Sequence, residues 1–433
     1  MKRLGGVFEQ VVAFDNLLLA FRKARRGKRR RPPVAGFELR LEQELLALQR
    51  ELLADVYRPG AYRLFTVYEL KPRLIAAAPF RDRVVHHALL NVIEPAIDRR
   101  FIADSYACRA GKGTHAAVDR YQHWSRRYAY ALKMDIARYF PSIDHVLLKD
   151  TLRRHIKDRR VVRLFDRIID GSPPFPETGA PDYFPGDDLF SSLDRCRGLP
   201  IGNLTSQFLA NLYLDGFDHF VKEELRVRPY LRYVDDMVLL DDDKGRLADY
   251  RHLAAERLGR ERLRLHPDKA HIVPVHCGLD WLGYTVFPRH RRLRNDNGWR
   301  FVRQYRGYAR AWAEGRLEWD DFAPSVQSWI GHAAHADTRG LRERIFSDIV
   351  FVRGAGRTAA GGLSAAVPGT TNPGTSARPT ATGTPRTTGT TTWVFVSPMT
   401  PARPWAAPFK DGAGAAAGVH EPVSRPRREG KAE

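Results

Sequence analysis

Apolar residues recur at helical spacing from the start of the chain. Phe8, Val11, Val12, Leu18, Leu19 and Phe21 predict one amphipathic helix over 8–26. Leu41, Leu45, Leu48 and Leu52 share a face and predict a second over 37–55. The period then drops to two: Tyr62, Leu64, Thr66, Tyr68 and Leu70 alternate, so 61–78 reads as extended. An apolar-rich helix follows from Asp82 to Ile97. The run from Ala129 to Ile136 reads as a buried strand entering a turn, and 145–170 as helical. Residues 171–197 contain Pro173, Pro174, Pro176, Pro181 and Pro185 and read as loop. Helix returns over 203–226. Apolar residues flank Asp235-Asp236 on both sides, which predicts a hairpin over Tyr230 to Leu240 centred on that pair. Helix and strand alternate to about Pro288, and 301–351 reads as helical with Trp312, Trp329 and Ile330 in its core. From 354 onward Thr, Pro, Gly and Ala dominate and periodicity is lost. Apolar surface is too sparse there to offset ordering entropy, so 354–433 is expected to be a disordered C-terminal tail. Within it, Thr392 to Val396 is the one stretch able to pair as an edge strand.

Charge narrows the picture. The 433 residues carry 71 Lys+Arg against 50 Asp+Glu, a net charge of +21. Such a surface attracts polyanions, of which nucleic acid is the commonest large one; membrane headgroups and a merely soluble basic protein are the rival readings. The cations are densest at Arg25, Arg26, Lys28, Arg29, Arg30 and Arg31. Like charges this close repel unless an anion neutralises them, so the run reads as a phosphate-gripping segment. A solvated cluster between two helices is its alternative. Cys108, Cys196 and Cys277 form no C-x-x-C pair, which argues against a disulfide framework or zinc site and fits a reducing cytoplasm. No apolar run approaches the ~18 residues that cross a bilayer, and the start lacks the apolar core of a signal peptide. The expected location is the cytoplasm, with no membrane partner.

Three carboxylates carry the chemistry. Adjacent aspartates beside buried strands are costly unless a cation neutralises them. Asp135 ends a second apolar strand, and a hairpin neighbouring that strand would bring Asp135, Asp235 and Asp236 together. Oxygen ligands of this kind suit Mg²⁺, and two ions about 3.5–4 Å apart make a phosphoryl-transfer site. A plain surface turn is the alternative for a bare Asp-Asp pair; Asp241-Asp242-Asp243 reads as the solvated end of the hairpin. Lys71 and Arg73 share a face of an alternating strand, which suits phosphate contact. Asp82-Arg83 reads as an intrahelical brace.

Over residues 60–350 these segments resemble, in order, the reverse transcriptase family. Tyr233-Val234-Asp235-Asp236 looks like its Y-x-D-D box, and Asp135-Ile136-Ala137-Arg138-Tyr139-Phe140 like the motif of the first catalytic aspartate. The resemblance implies that Asp135, Asp235 and Asp236 are catalytic and hold two Mg²⁺ ions, with Mn²⁺ as the substitute. By the same match Phe140 would exclude a ribose 2′-hydroxyl, with core packing as its rival role. Lys71 and Arg73 fall in the motif facing the incoming dNTP. Arg109 and Lys112 fall in a Gly- and cation-rich motif that approaches nucleic acid. Lys269 would protonate pyrophosphate, a simple surface Lys being the alternative, and Trp281, Gly283 and Tyr284 resemble the primer grip. The segment Gly198 to Gln207 departs from most of the family: Ile201 stands before Gly202 where Gln is usual, and Gln207 follows Ser206. That departure resembles the reverse transcriptases of diversity-generating retroelements, which copy a template RNA into cDNA with errors at template adenines. Ile201 cannot hydrogen-bond near the nascent pair as a Gln amide would. The resemblance implies an α+β right-hand polymerase: fingers over 1–128, a ferredoxin-like palm over 129–288 and a helical thumb over 289–353. Its partners would be template RNA, primer and cDNA, dNTPs and a small basic accessory protein. The alternatives are another bacterial reverse transcriptase, of group II intron, retron or phage-defence type, and a non-catalytic RNA-binding scaffold.

Overall fold

The computed structural model describes residues 3–68, 72–174, 182–188 and 190–353. One compact unit spans Met1–Ile349; a second, Val350–Glu433, is described only over 350–353. The tail expected over 354–433 and its Thr392–Val396 segment therefore lie outside the described residues.

The first apolar stripe forms two helices, α1 (Phe8–Val12) and α2 (Phe14–Ala24), because Ala13 between them is extended at ψ 136°. Pro32 and Pro33 open α3 (Pro32–Leu39) directly after the basic run, since a first-turn residue needs no intrahelical N–H bond. Arg40 leaves helical geometry, so α4 (Leu41–Leu53) is separate. The extended stretch is a hairpin, β1 (Arg63–Tyr68) against β2 (Pro72–Ala77). Then follow α5 (Phe80–Asp98), α6 (Thr114–Ser125), β3 (Tyr130–Met134) and the short α7 (Tyr139–Ser142). The stretch 145–170 divides into α8 (His145–His155) and α9 (Arg159–Asp170), capped by Asp144 and Asp158. Asp158 also accepts the N–H groups of Val7 and Phe8, at 2.9 and 3.0 Å, and so joins the start of α1 to α9. One turn, α10 (Ser191–Asp194), interrupts the proline-rich loop. The helix expected over 203–226 is three pieces: α11 (Leu204–Tyr213), α12 (Asp215–His219) and a π-helical turn, Phe220–Glu224. β4 (Tyr230–Tyr233) and β5 (Asp236–Asp241) form the expected hairpin. After it come α13 (Lys244–Arg260), β6 (His271–Pro274), β7 (Leu279–Trp281), β8 (Tyr284–Val286), β9 (Arg291–Leu293), α14 (Asn295–Ala313), α15 (Trp319–Ala333) and α16 (Arg339–Asp348).

The chain is thus α+β. A four-stranded antiparallel sheet in the order β4-β5-β3-β6 holds the middle of the unit, with β7-β8-β9 as a second, three-stranded sheet. Met237, Val238, Leu239 and Leu240 are all fully buried, so β5 is covered on both faces and reads as a continuous apolar run. The largest core joins this sheet to α5, whose Val84, Val85, Ala88, Leu89, Ile93 and Ile97 are fully buried, and to α1, α2, α8, α9 and α11. In α14–α16 Phe301 stacks on Trp329 at 3.7 Å, and Tyr305 meets Phe346 edge-on at 5.3 Å. Trp329 is buried as expected. Trp312 and Ile330 are only half-buried; Phe301, Tyr305 and Phe322 carry that core instead. The acidic triplet does more than end the hairpin. Asp242 accepts the Ala129 N–H at 2.9 Å, and Asp243 caps α13.

Candidate active site

β3 and β5 pair through Met134↔Met237. One further residue along that register sets Asp135 beside Asp236, and Asp235 sits on the two-residue turn that precedes it. Val234, the other turn residue, has φ +57°. For a β-branched side chain the left-handed region is strained, at a cost of about 1–3 kcal/mol. The backbone of Asp135 is pinned from the opposite side: its carbonyl accepts the His266 N–H at 2.7 Å, and the Arg264 carbonyl accepts from Ala137 at 2.8 Å. The carboxylates sense one another. Burial first, then the charges of Asp236 and Asp135, push Asp235 up to about 7. Burial also raises Asp236, opposed chiefly by Lys133. Lys269 is ion-paired with Asp135. Among the described residues no three His, Cys, Asp or Glu side chains converge closely enough in this arrangement to enclose a metal ion. The donor chemistry fits one: burial and the like charges of Asp236 and Asp135, which together raise Asp235, mark a site short of positive charge, and Lys269 meets only part of that need.

Three segments that carry further candidate site residues are laced together by hydrogen bonds. The Ile201 carbonyl accepts the Ala76 N–H of β2 at 3.1 Å, and the Phe140 carbonyl accepts the Leu199 N–H at 2.9 Å. Buried Asn203 closes the lacing: its amide donates to the Ala76 carbonyl at 2.8 Å and its oxygen accepts the Ala78 N–H at 3.2 Å. Gly202 has φ +108°, and a Cβ there would stand 3.0 Å from the Ile75 side chain, so both conformation and space demand glycine. Ile201 and Phe140 are half-buried, while Gln207 and Arg73 are exposed. Lys71 lies outside the described residues.

The family profile "Reverse transcriptase (RNA-dependent DNA polymerase)" matches residues 69–286, just over half the chain and the span that holds all of these segments. The chain belongs to the reverse transcriptase family. Protein YkfC of Escherichia coli K12 is 27% identical over 297 residues, 59% of this chain and 74% of its own. The group II intron-encoded protein LtrA of Lactococcus lactis is 24% identical over 183 residues, 42% of this chain and 28% of its own. Nuclear intron maturase 1, mitochondrial, of Arabidopsis thaliana is 30% identical over 90 residues, 21% of this chain and 13% of its own. The chain thus spans well under a third of the intron-related proteins it matches. Among solved structures, apo telomerase from Candida tropicalis superposes with a TM-score of 0.41 at 8% identity, covering 55% of this chain and 49% of that one.

Several residues of this reverse-transcriptase-family chain stand elsewhere than their motifs suggested. Trp281 is fully buried, edge-on to Tyr121 at 5.9 Å, and Tyr284 is fully buried with its hydroxyl donating to the His332 carbonyl at 2.8 Å. Neither ring is placed to touch nucleic acid; alternation along β7 and β8 turns both into the core, where their apolar area outweighs any surface role. Gly283, between them at φ +89°, packs against His332. Arg109 is a brace: it donates to Asp98 at 2.5 Å and to the carbonyls of Asp98, Ile102 and Ser105. Lys112 donates to the Ala103 carbonyl at 2.7 Å and lies over Tyr106. In the basic run Arg25 and Arg29 both pair with Glu38, whereas Arg26, Arg30 and Arg31 are exposed. Lys28 is held below the usual lysine range by burial and by Arg83. Asp82 and Arg83 do not brace each other: Asp82 accepts from the Tyr57 hydroxyl and the Gly60 N–H, and Arg83 donates to the Ala78 carbonyl. One cationic face escaped the sequence reading. On α14, Trp299, Arg303, Arg306 and Arg310 are exposed at i, i+4, i+7 and i+11, a single stripe of one ring and three guanidiniums. Its signal was the polar half of a periodicity read only for its apolar half.

Proposed function

We propose that this chain is an RNA-directed DNA polymerase with its reaction centre at Asp135, Asp235 and Asp236. The observation that carries this reading is the β3–β5 register, which sets Asp135 beside Asp236 and leaves Asp235 on the adjoining turn, raised to about 7 in part by the other two charges. In this reading the β4-β5-β3-β6 sheet belongs to a palm over 129–288, between fingers over 1–128 and a thumb over 289–353. The three aspartates would hold two Mg²⁺, or Mn²⁺, which when bound neutralise charge on the triphosphate and acidify the primer hydroxyl. The 3′-oxygen of the primer bonds to the α-phosphorus of a dNTP as the α–β anhydride bond breaks and pyrophosphate leaves. Exposed Arg73 faces the triphosphate, Phe140 lies under the sugar, and Lys269, seated at Asp135, supplies a proton to the leaving group. Template and primer are held by the free cations of the 25–31 run and by the α14 stripe.

Within the family, Ile201 before Gly202 and Gln207 after Ser206 favour a diversity-generating retroelement, with its template RNA and a small basic accessory protein as partners. The similarity to LtrA and to a maturase favours a second reading, an intron-type enzyme. Primer extension on a mixed-sequence RNA template, with products sequenced and Asp235→Ala in parallel, decides between them. Extension by wild type alone supports the polymerase, and errors clustered at template adenines select the retroelement reading. Uniformly low error favours the intron type. No cDNA from wild type, even with its native RNA and accessory protein, leaves an RNA-binding scaffold.

A further inference from the structure

The aspartate hairpin turns on Val234, whose φ of +57° is one a β-branched residue rarely adopts. Its carbonyl oxygen accepts a hydrogen bond from Arg232 Nη1 at 3.0 Å. Arg232 is fully buried, and every N–H of its guanidinium has an acceptor. Nε donates to Asp218 Oδ1 at 2.8 Å, and Nη2 to Asp218 Oδ2 at 2.6 Å and to the Asn211 carbonyl at 3.4 Å. The second Nη1 hydrogen goes to Asn211 Oδ1 at 3.2 Å.

The anchors are themselves held. Asp218, also fully buried, accepts the Tyr230 hydroxyl at 2.7 Å, and Asn211 donates to the Ala107 carbonyl at 2.8 Å. The Arg232 backbone bonds to the Asp104 carbonyl and the Tyr106 N–H, both at 3.0 Å. A chain of fixed geometry therefore runs from α11 and α12 through one side chain to the turn that carries Asp235. A planar fork can reach two anchors and a carbonyl at once; an ammonium cannot. A buried ion pair by itself is weak grounds for stability, since an apolar pair of like volume often serves as well. What the apolar pair cannot supply is a donor aimed at the Val234 carbonyl.

We propose that Arg232 is the positioning residue of the reaction centre: through the Val234 carbonyl it holds the left-handed turn that sets Asp235 and Asp236 against Asp135. The proposal rests on reading those aspartates as metal ligands.

Two variants of the full chain separate position from stability. Arg232→Lys keeps a charge opposite Asp218 but loses the fork. Arg232→Met combined with Asp218→Leu removes both charges, and its melting temperature reports whether the fold is kept. Mn²⁺ binding is read from the electron paramagnetic resonance signal of the free ion, alongside kcat and dNTP KM for cDNA synthesis. In both variants Mn²⁺ affinity and kcat are expected to fall about 10–100-fold, the range for groups that orient metal ligands, with dNTP KM near wild type. A double variant that melts, binds Mn²⁺ and turns over like wild type would show that Arg232 only neutralises Asp218, and the proposal is overturned. So would an Arg232→Lys protein with unchanged Mn²⁺ affinity. Failure of the underlying reading looks different: wild type would bind Mn²⁺ no better than an Asp235→Ala, Asp236→Ala protein.

Discussion

Asp235 concentrates the conflict at the residue scale. Its carboxyl is buried among like charges and titrates near 7, where an exposed aspartate would be ionised from about 4 upward. A raised carboxylate destabilises the folded state above its folded pKa, and that cost fades as pH falls toward the unfolded value. Discounted for the site's opening to solvent, the cost at pH 8 is about 1–2 kcal/mol. Asp235→Asn should therefore raise the melting temperature by about 2–4 °C at pH 8 without divalent ions, while cDNA synthesis is lost. Calorimetry at pH 8 and pH 5 checks the sign, because the gain should shrink at pH 5. A variant that melts lower at pH 8 would mean that the carboxylate is paired rather than repelled. Arg109 shows the opposite situation: a cation in a motif that suggested nucleic acid is consumed by one carboxylate and three carbonyls. Residue type alone does not distinguish a free charge from a satisfied one.

At the scale of elements, the α14 stripe is the clearest new surface. Phe301, Tyr305 and Ala311 point inward, which leaves Trp299, Arg303, Arg306 and Arg310 outward on the opposite side of the same helix. Changing Arg303, Arg306 and Arg310 together to Gln should weaken binding to an RNA–DNA duplex with little sequence preference. The slope of log affinity against log salt should become shallower by about 0.9 for each phosphate no longer neutralised. Fluorescence anisotropy over a salt series measures both, and an unchanged slope would remove α14 from the interface. The β7–β8 corner teaches a complementary lesson. Trp281 and Tyr284 alternate with more exposed Asp280 and Thr285, and the pleat sends both rings into the core. The glycine between them lets His332 of α15 pack close.

Across the whole molecule, two populations of buried titratable groups oppose each other. Burial raises Asp215 to about 6, and Glu261 and Asp235 to about 7. Each costs stability above its folded pKa, and the cost is relieved as pH falls through it. Burial lowers His86 to about 3 and His87, His115 and His155 to about 4. These cost nothing above the unfolded value near 6.5 and progressively more below it, because only the unfolded chain takes up their protons. The metal-free protein should melt highest between about pH 6 and 7, falling on both sides. A calorimetric series from pH 5 to 8.5 tests this, and a melting temperature that climbs steadily to pH 8.5 would refute it. Asp215 and Glu261 also line a cavity of about 260 Å³ with Arg154, Tyr213, Arg257 and Arg260. None of the three candidate aspartates lines it.

The sequence by itself determined the local architecture and the chemistry available. Alternation and helical spacing specify β3, the β4–β5 hairpin, α5 and most helices. The isolated pattern around Asp135, Asp235 and Asp236 is legible because charged pairs between buried strands are costly unless a cation neutralises them. Helix breaks at Ala13 and Arg40 and the division of 203–226 were not legible, since periodicity survives a single residue that leaves helical geometry. Only the tertiary structure decided which polar groups are spent. It assigned Arg109 to Asp98, Arg25 to Glu38, Asn203 to β2 and Arg232 to Asp218 and the Val234 carbonyl, and it left α14 its free cations. Whether the partners stand 11 positions apart, as Arg109 and Asp98 do, or 127, as Asn203 and Ala76 do, their spacing follows no helical or strand period, so the bond appears only when packing brings donor and acceptor together.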